Sequence, residues 1–204
     1  MPKEYEYRFN DYNKKNIITK LKELKAKYYG TFKFRVMVFS DSINSEKYIR
    51  IRDEGHRVTM TVKNNLTDKF PVENEVIISD YDEGIKIFLQ LGCKKKYSYE
   101  KYREIWNYKN SEIIFDMNPG IPELMEVESS TKKELDILCK KLELNISNYQ
   151  GFANSIMYLD LFGIVVPKSL DLTFKSALKE LKPTKNKEEF VKLVKMQIKE
   201  CKKL

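Results

Sequence analysis

Apolar and ionic residues alternate along the first stretch of the chain, Glu4-Tyr5-Glu6-Tyr7-Arg8-Phe9. Successive side chains of an extended strand leave opposite faces, so Glu4, Glu6 and Arg8 share one face and Tyr5, Tyr7 and Phe9 the other. The pattern returns at Leu124-Met125-Glu126-Val127-Glu128, which again sets two carboxylates on one face. Between these stretches, residues 31–40 alternate Phe32, Phe34, Val36 and Val38 with Lys33, Arg35, Met37 and Phe39, a strand with a partly basic face. Residues 47–53 and 57–63, joined by Asp53-Glu54-Gly55-His56, predict a hairpin. Its Arg50, Arg52, Arg57, Thr59, Thr61 and Lys63 share one phase, and Ile49, Ile51, Val58, Met60 and Val62 the other. Further strands are expected over 72–79, with Glu73, Glu75 and Ile77 on one side, over 97–108, with Lys101, Arg103 and Ile105 in phase, and over 112–117, where Ile114 and Asp116 oppose Ile113 and Phe115.

Helical spacing takes over in shorter pieces. Residues 13–29 place Ile17, Ile18, Leu21, Leu24 and Tyr28 on one face with Gly30 as the stop, and residues 80–91 end at Gly92. Thr131 and Glu134 have the spacing of a capping box for a helix carrying Leu135, Leu138 and Leu142. Beyond Asn145 the strand signal fades, and 152–162, 170–181 and 187–204 read as helices separated by Gly163, Pro167 and Pro183. The expected organisation is one domain over residues 1–163 with a helical extension, 164–204, belonging to it.

The fold class this predicts is α+β. Nearly every strand sets apolar residues against charges of both signs, which a closed antiparallel barrel explains, with its outside covered by helices and its inside ionic. Thirteen Tyr and eleven Phe suit such strands. A single charged residue is more often half of a solvated ion pair, and that bland account weakens when six strands share the phase. The inward acids, Glu4, Glu6, Glu73, Glu75, Asp116, Glu126 and Glu128, suit a hard divalent cation such as Mg²⁺ or Mn²⁺. The inward cations, Arg8, Arg50, Arg52, Lys63, Lys101 and Arg103, suit phosphate oxygens.

The net charge of +8 points to an anionic partner without choosing among nucleic acid, phosphate compounds and acidic membranes. Cys93, Cys139 and Cys201 are widely spaced and contain no CxxC pair, which argues against a disulfide framework or a zinc site. With charge at Lys3 and Glu4 and no long apolar run, the expectation is a cytoplasmic protein with no membrane partner, a monomer or homodimer. His56 sits in a hairpin turn and Trp106 is expected in packing. The basic helix at 187–204 is read as docked with its lysines in water, ahead of a nucleic-acid contact.

The ordered set Glu4-x-Glu6-x-Arg8, Arg50-x-Arg52, Lys63, Glu73-x-Glu75, Lys101-x-Arg103, Asp116 and Glu126-x-Glu128 resembles the CYTH proteins, also called triphosphate tunnel metalloenzymes, over roughly Lys3 to Leu161. That family comprises inorganic triphosphatases, thiamine triphosphatases, class IV adenylyl cyclases and, more distantly, RNA triphosphatases. The resemblance implies an eight-stranded tunnel that takes a small triphosphate with Mg²⁺ or Mn²⁺. Glu4, Glu6, Glu126 and Glu128 would hold metal or position water, with Glu75 and Asp116 completing the acidic side. Arg8, Arg50, Arg52, Lys63 and Arg103 would bind phosphate, leaving Glu4, Glu6, Glu128 and Arg8 as the catalytic set. Arg8 stands where the family usually has lysine, and the His-Phe pair preceding this motif in the cyclases is missing. Hydrolysis is therefore expected ahead of cyclisation, RNA 5′-triphosphate hydrolysis or noncatalytic polyphosphate or RNA binding.

Overall fold

A computed structural model describes residues 5–40, 47–64, 72–146 and 154–204. Glu4, the turn residues 41–46 and the start of the helix expected at 152 lie outside the described residues. In chain order the elements are β1 (Tyr5–Phe9), α1 (Lys14–Glu23), β2 (Lys27–Ser40), β3 (Tyr48–Asp53), β4 (Val58–Asn64), β5 (Val72–Ile78), α2 (Tyr81–Gln90), β6 (Lys94–Tyr108), β7 (Ser111–Met117), β8 (Leu124–Ser129), α3 (Lys132–Lys141), α4 (Asn154–Phe162), β9 (Asp171–Leu172), α5 (Ala177–Glu180) and α6 (Lys187–Glu200).

Eight strands pair antiparallel in the order β1-β8-β7-β6-β2-β3-β4-β5, and β9 adds in parallel to β6. The expectation of a closed barrel is corrected here. Among the described residues no ladder joins β1 to β5, so the sheet is a curled half-barrel with two free edges. Alternation of ionic and apolar residues assigns the concave and convex faces, and those faces are the same whether or not the two rims meet.

The convex face is apolar and covered. On one flank α1 and α3 pack Ile17, Leu21, Leu135 and Leu138 against Tyr7, Phe9, Trp106, Phe115, Met125 and Val127. On the other, Ile85 and Phe88 of α2 cover Phe39, Ile49 and Ile51. A third cluster, on the concave side, joins α4, α5 and α6 to Ile121, Leu124 and Leu172, with Tyr99 at its border. Burying one such large apolar side chain contributes on the order of 1.5–3 kcal/mol. No described helix is long and apolar enough to cross a membrane.

Three local expectations change. Helix α1 ends at Glu23, because Lys25 adopts a left-handed φ of 58° and the Ala26 N–H bonds the Leu21 carbonyl at 2.8 Å. Tyr28 and Gly30 therefore belong to β2, where a register shift lies between them. Residues 170–181 are helical only over Ala177–Glu180, since Leu170 and Leu172 enter the core from extended chain. The partly basic face of β2 points away from the concave side: Lys33 pairs with Glu100 and Arg35 with Asp53.

Helix α6 is docked as expected, with Phe190 and Val194 buried. It also buries Gln197, whose amide donates to the carbonyls of Asn118 (2.9 Å) and Ile121 (2.8 Å) and accepts from the Gly120 N–H (2.8 Å). The amide thereby satisfies three backbone groups of the loop joining β7 to β8, where Gly120 has φ +79°. Gln197→Ala is expected to cost about 2–3 kcal/mol by stranding those groups, seen as a lower urea midpoint with an unchanged m-value.

Candidate active site

The concave face encloses a cavity of about 770 Å³. Its backbone is a chain of alternating charges across β6, β7, β8 and β1. Asp116 lies opposite Arg103 in the β6–β7 ladder and accepts from Arg103 Nε (2.7 Å), Arg103 Nη2 (2.6 Å) and Lys101 Nζ (2.5 Å). Arg103 Nη2 also reaches Glu126 Oε2 at 2.7 Å, and the other Glu126 oxygen takes Nε (2.8 Å) and Nη2 of Arg8. The run Lys101–Asp116–Arg103–Glu126–Arg8 is largely buried. Burial would raise Glu126, but Arg8, Arg103 and Lys101 outweigh it and hold its carboxyl well below the usual range. Asp116 is depressed in the same way, burial being overcome by Arg103 and Lys101.

The opposite wall is β3, β4 and β5. Arg50 pairs with Glu73 at 3.0 Å, Lys63 with the same carboxylate at 2.5 Å, and Arg52 with Glu54 at 2.5 Å and Glu75 at 3.3 Å. Glu75 also accepts from Thr61 Oγ1 at 2.7 Å. Burial, followed by the nearby charges of Arg50 and Arg103, lowers the Arg52 pKa, so these guanidiniums crowd one another. Arg52 Nε has no partner among the described residues, nor has the Thr59 hydroxyl directly opposite it in the ladder. Beneath the cations lies the buried ring of Phe34, 5.5 Å from each of Arg52, Lys101 and Arg103.

The acidic side is built against ordinary sheet chemistry. Glu6 lies directly opposite Glu128 in the β1–β8 ladder, and Glu128 directly opposite Glu112 in the β7–β8 ladder. Like charges in register are destabilising. Oxygens of Glu6, Glu126 and Glu128 lie within 4.8 Å of one another. Burial and then the charge of Glu126 raise the Glu6 pKa, against the pull of Arg8, Lys63 and Arg103. An all-oxygen triplet of mutually repelling carboxylates fits a hard divalent cation, because bound charge would relieve that repulsion.

The predicted residues thus occupy different places. Glu6, Glu126 and Glu128 come together. Asp116 is taken up by Lys101 and Arg103, and Glu75 stands on the far wall with Arg52 and Thr61. Glu4 lies outside the described residues. Arg8, Arg50, Arg52, Lys63, Lys101 and Arg103 all line the cavity. Sequence reasoning passed over Glu112, Phe34 and Tyr48, and it ranked base stacking by the Tyr-rich strand around Trp106, which carries Tyr97 and Tyr99, below packing. Period-two phasing from Asp116 back to Glu112, from Arg52 to Tyr48 and from Lys101 to Tyr97 would have found most of them.

A curled antiparallel sheet with an ionic concave face and a carboxylate triplet among arginines defines a CYTH-like protein. The sequence model of the CYTH domain matches residues 2–156, and the chain belongs to that family. Among curated proteins none matches. The fold resembles that of the PH1012 protein of Pyrococcus horikoshii, with 22% identity, TM-score 0.63 and 74% of this chain and 96% of that one covered. It also resembles a putative adenylate cyclase of Vibrio parahaemolyticus, with 14% identity, TM-score 0.65 and coverage of 74% and 95%. A third similar structure, the putative adenylyl cyclase HpAC1 of Hippeastrum, has 14% identity, TM-score 0.50 and coverage of 78% and 94%.

Two predictions follow from the charge chain. Asp116→Asn leaves Arg103 and Lys101 buried with half their counter-charge, and the loss expected by thermal or urea unfolding is about 3 kcal/mol or more. Burial, then repulsion from Arg103, brings the Lys101 pKa down to about 8 despite Asp116. Its charge is present below that pH and lost above it, so an anion that binds this cavity should be held less tightly as the pH rises from about 7 to about 9.5. Lys101→Arg, which keeps its charge, should flatten the profile in calorimetric titrations.

Proposed function

We propose that the protein is a divalent-metal-dependent hydrolase of small triphosphate compounds. The observation that carries this is the carboxylate triplet Glu6, Glu126 and Glu128, set in one cavity with Arg8, Arg50, Arg52, Lys63, Lys101 and Arg103. Charge balance supports it. Among the described residues eight carboxylates and nine lysine or arginine side chains line the cavity, so a bare triphosphate would leave it strongly negative. A substrate that arrives with Mg²⁺ or Mn²⁺ offsets part of that excess.

The residues then divide the work. Arg50, Arg52, Lys63 and Lys101 hold the phosphate chain. Arg8 and Arg103, fixed by Glu126, take up charge as the bond to the leaving oxygen lengthens. Glu6, Glu126 and Glu128 would hold the divalent ion. Bound there, a divalent ion would supply Lewis-acid polarisation of the phosphoryl group. Glu6 and Glu128 would also orient the attacking water. HpAC1 of Hippeastrum, a putative adenylyl cyclase, is described as having a dominant triphosphatase activity, which favours hydrolysis over the cyclase reading here.

The test is orthophosphate release from tripolyphosphate, thiamine triphosphate, ATP and triphosphorylated RNA with Mg²⁺ or Mn²⁺. EDTA should abolish release. Glu6→Gln and Glu128→Gln should reduce turnover to background while circular dichroism and the thermal midpoint show a folded protein. Normal turnover in both variants contradicts the assignment, and cyclic nucleotide with pyrophosphate from ATP replaces it by a cyclase.

A further inference from the structure

The cavity has a second chemistry at one end, and the chain beyond the family's matched residues helps to build it. Strand β7 stops pairing with β6 at Tyr102, leaving the earlier half of β6 without that neighbour. Strand β9 takes the vacated edge, with Leu172 in register with Tyr99 and the Ser98 N–H bonded to the Leu170 carbonyl at 2.9 Å. The Glu100 carboxylate fixes the following turn by accepting the Phe174 N–H at 2.8 Å. The result is a wall in which Val166, Leu170 and Leu172 join Tyr158 in lining the cavity opening.

Three tyrosines from the sheet, Tyr48, Tyr97 and Tyr99, line the same cavity. Tyr97 and Tyr99 lie stacked, with ring centroids 6.2 Å apart and planes 28° apart. The Tyr48 hydroxyl is hydrogen-bonded to both. Tyr158 spends its own hydroxyl on the Pro119 carbonyl, which leaves its ring as surface. The aromatic end adjoins the phosphate-binding wall, since the Arg50 guanidinium lies 5.9 Å from the Tyr48 ring. Tripolyphosphate needs only the ionic half. A cavity of about 770 Å³ with an apolar, aromatic end is of the size and kind that accommodates an organic ligand.

We propose that Tyr48, Tyr97 and Tyr99, together with the wall formed by Tyr158, Val166 and Leu172, are a specificity pocket for a planar heteroaromatic group carried on a triphosphate. This rests on the triphosphate reading of the ionic half. The ring packs against the tyrosines while its phosphate chain runs past Arg50 and Arg52 toward Lys101 and Arg103. Residues after 156 are thereby part of the substrate site and set the preference for organic over inorganic triphosphate.

The test is calorimetric binding of ATP, thiamine triphosphate and tripolyphosphate to the full chain, with turnover of each measured in parallel. Tyr97→Ala should weaken whichever organic triphosphate binds tighter by about tenfold or more, the usual scale for losing a ring that stacks on a base, and leave tripolyphosphate within about twofold. Tyr97→Phe should retain the selectivity. Val166→Gln, at a half-buried position of the added wall, should act like Tyr97→Ala. Equal weakening of all three ligands, or no change in either variant, overturns the proposal. Selective binding without turnover of any ligand would keep the pocket and overturn the hydrolase reading. Turnover of tripolyphosphate without organic selectivity would do the reverse.

Discussion

The structure depends on keeping ionised groups inside a curled sheet. Carboxylates and guanidiniums taken out of water cost several kcal/mol each unless every charge meets a counter-charge in good geometry. The chain Lys101–Asp116–Arg103–Glu126–Arg8 meets that condition by register alone, because Arg103 faces Asp116 and Arg8 faces Glu126 across adjacent strands. The curl then brings the far wall, with Arg50, Arg52 and Lys63 on Glu73 and Glu75, around the same space. Much of the convex face is apolar and helix-covered, with Lys33–Glu100 and Arg35–Asp53 as ion pairs upon it, while the concave face holds the buried charge chain.

Against this order two places stand out. Glu6, Glu128 and Glu112 lie in register, carboxylate against carboxylate, and Arg52 Nε and Thr59 Oγ1 lack partners among the described residues. The first sets like charges against one another inside the cavity, a repulsion that a bound divalent cation would relieve.

Much of this was legible in the sequence. Strands with a period of two identify their inward residues directly, so Glu6, Arg8, Arg50, Arg52, Lys101, Arg103, Asp116 and Glu126 could be assigned to one face before any coordinates. Closure was not legible, because the same alternation serves an open or a closed sheet. Nor was the division of labour among the acids: Asp116 is bound to cations, and Glu128 stands in register between two other carboxylates. That depends on which residues face each other across ladders whose register the sequence does not state. The aromatic end was ranked behind packing because the Tyr-rich strand around Trp106 suits either role by sequence. The segment supplying their neighbours looked helical, whereas Leu170 and Leu172 enter the core in extended form.

The central claim is that the Glu6, Glu126 and Glu128 carboxylates bind a divalent ion jointly with a triphosphate. Mn²⁺ titration, followed by the electron paramagnetic resonance of the free ion with and without tripolyphosphate, tests it most directly. Linkage requires that each ligand strengthen the other by the same factor. The account predicts tighter Mn²⁺ binding when tripolyphosphate is present, beyond what the two form in solution, and loss of that gain in Glu6→Gln. Mn²⁺ affinity that tripolyphosphate leaves unchanged, or a gain that survives in Glu6→Gln, would contradict it.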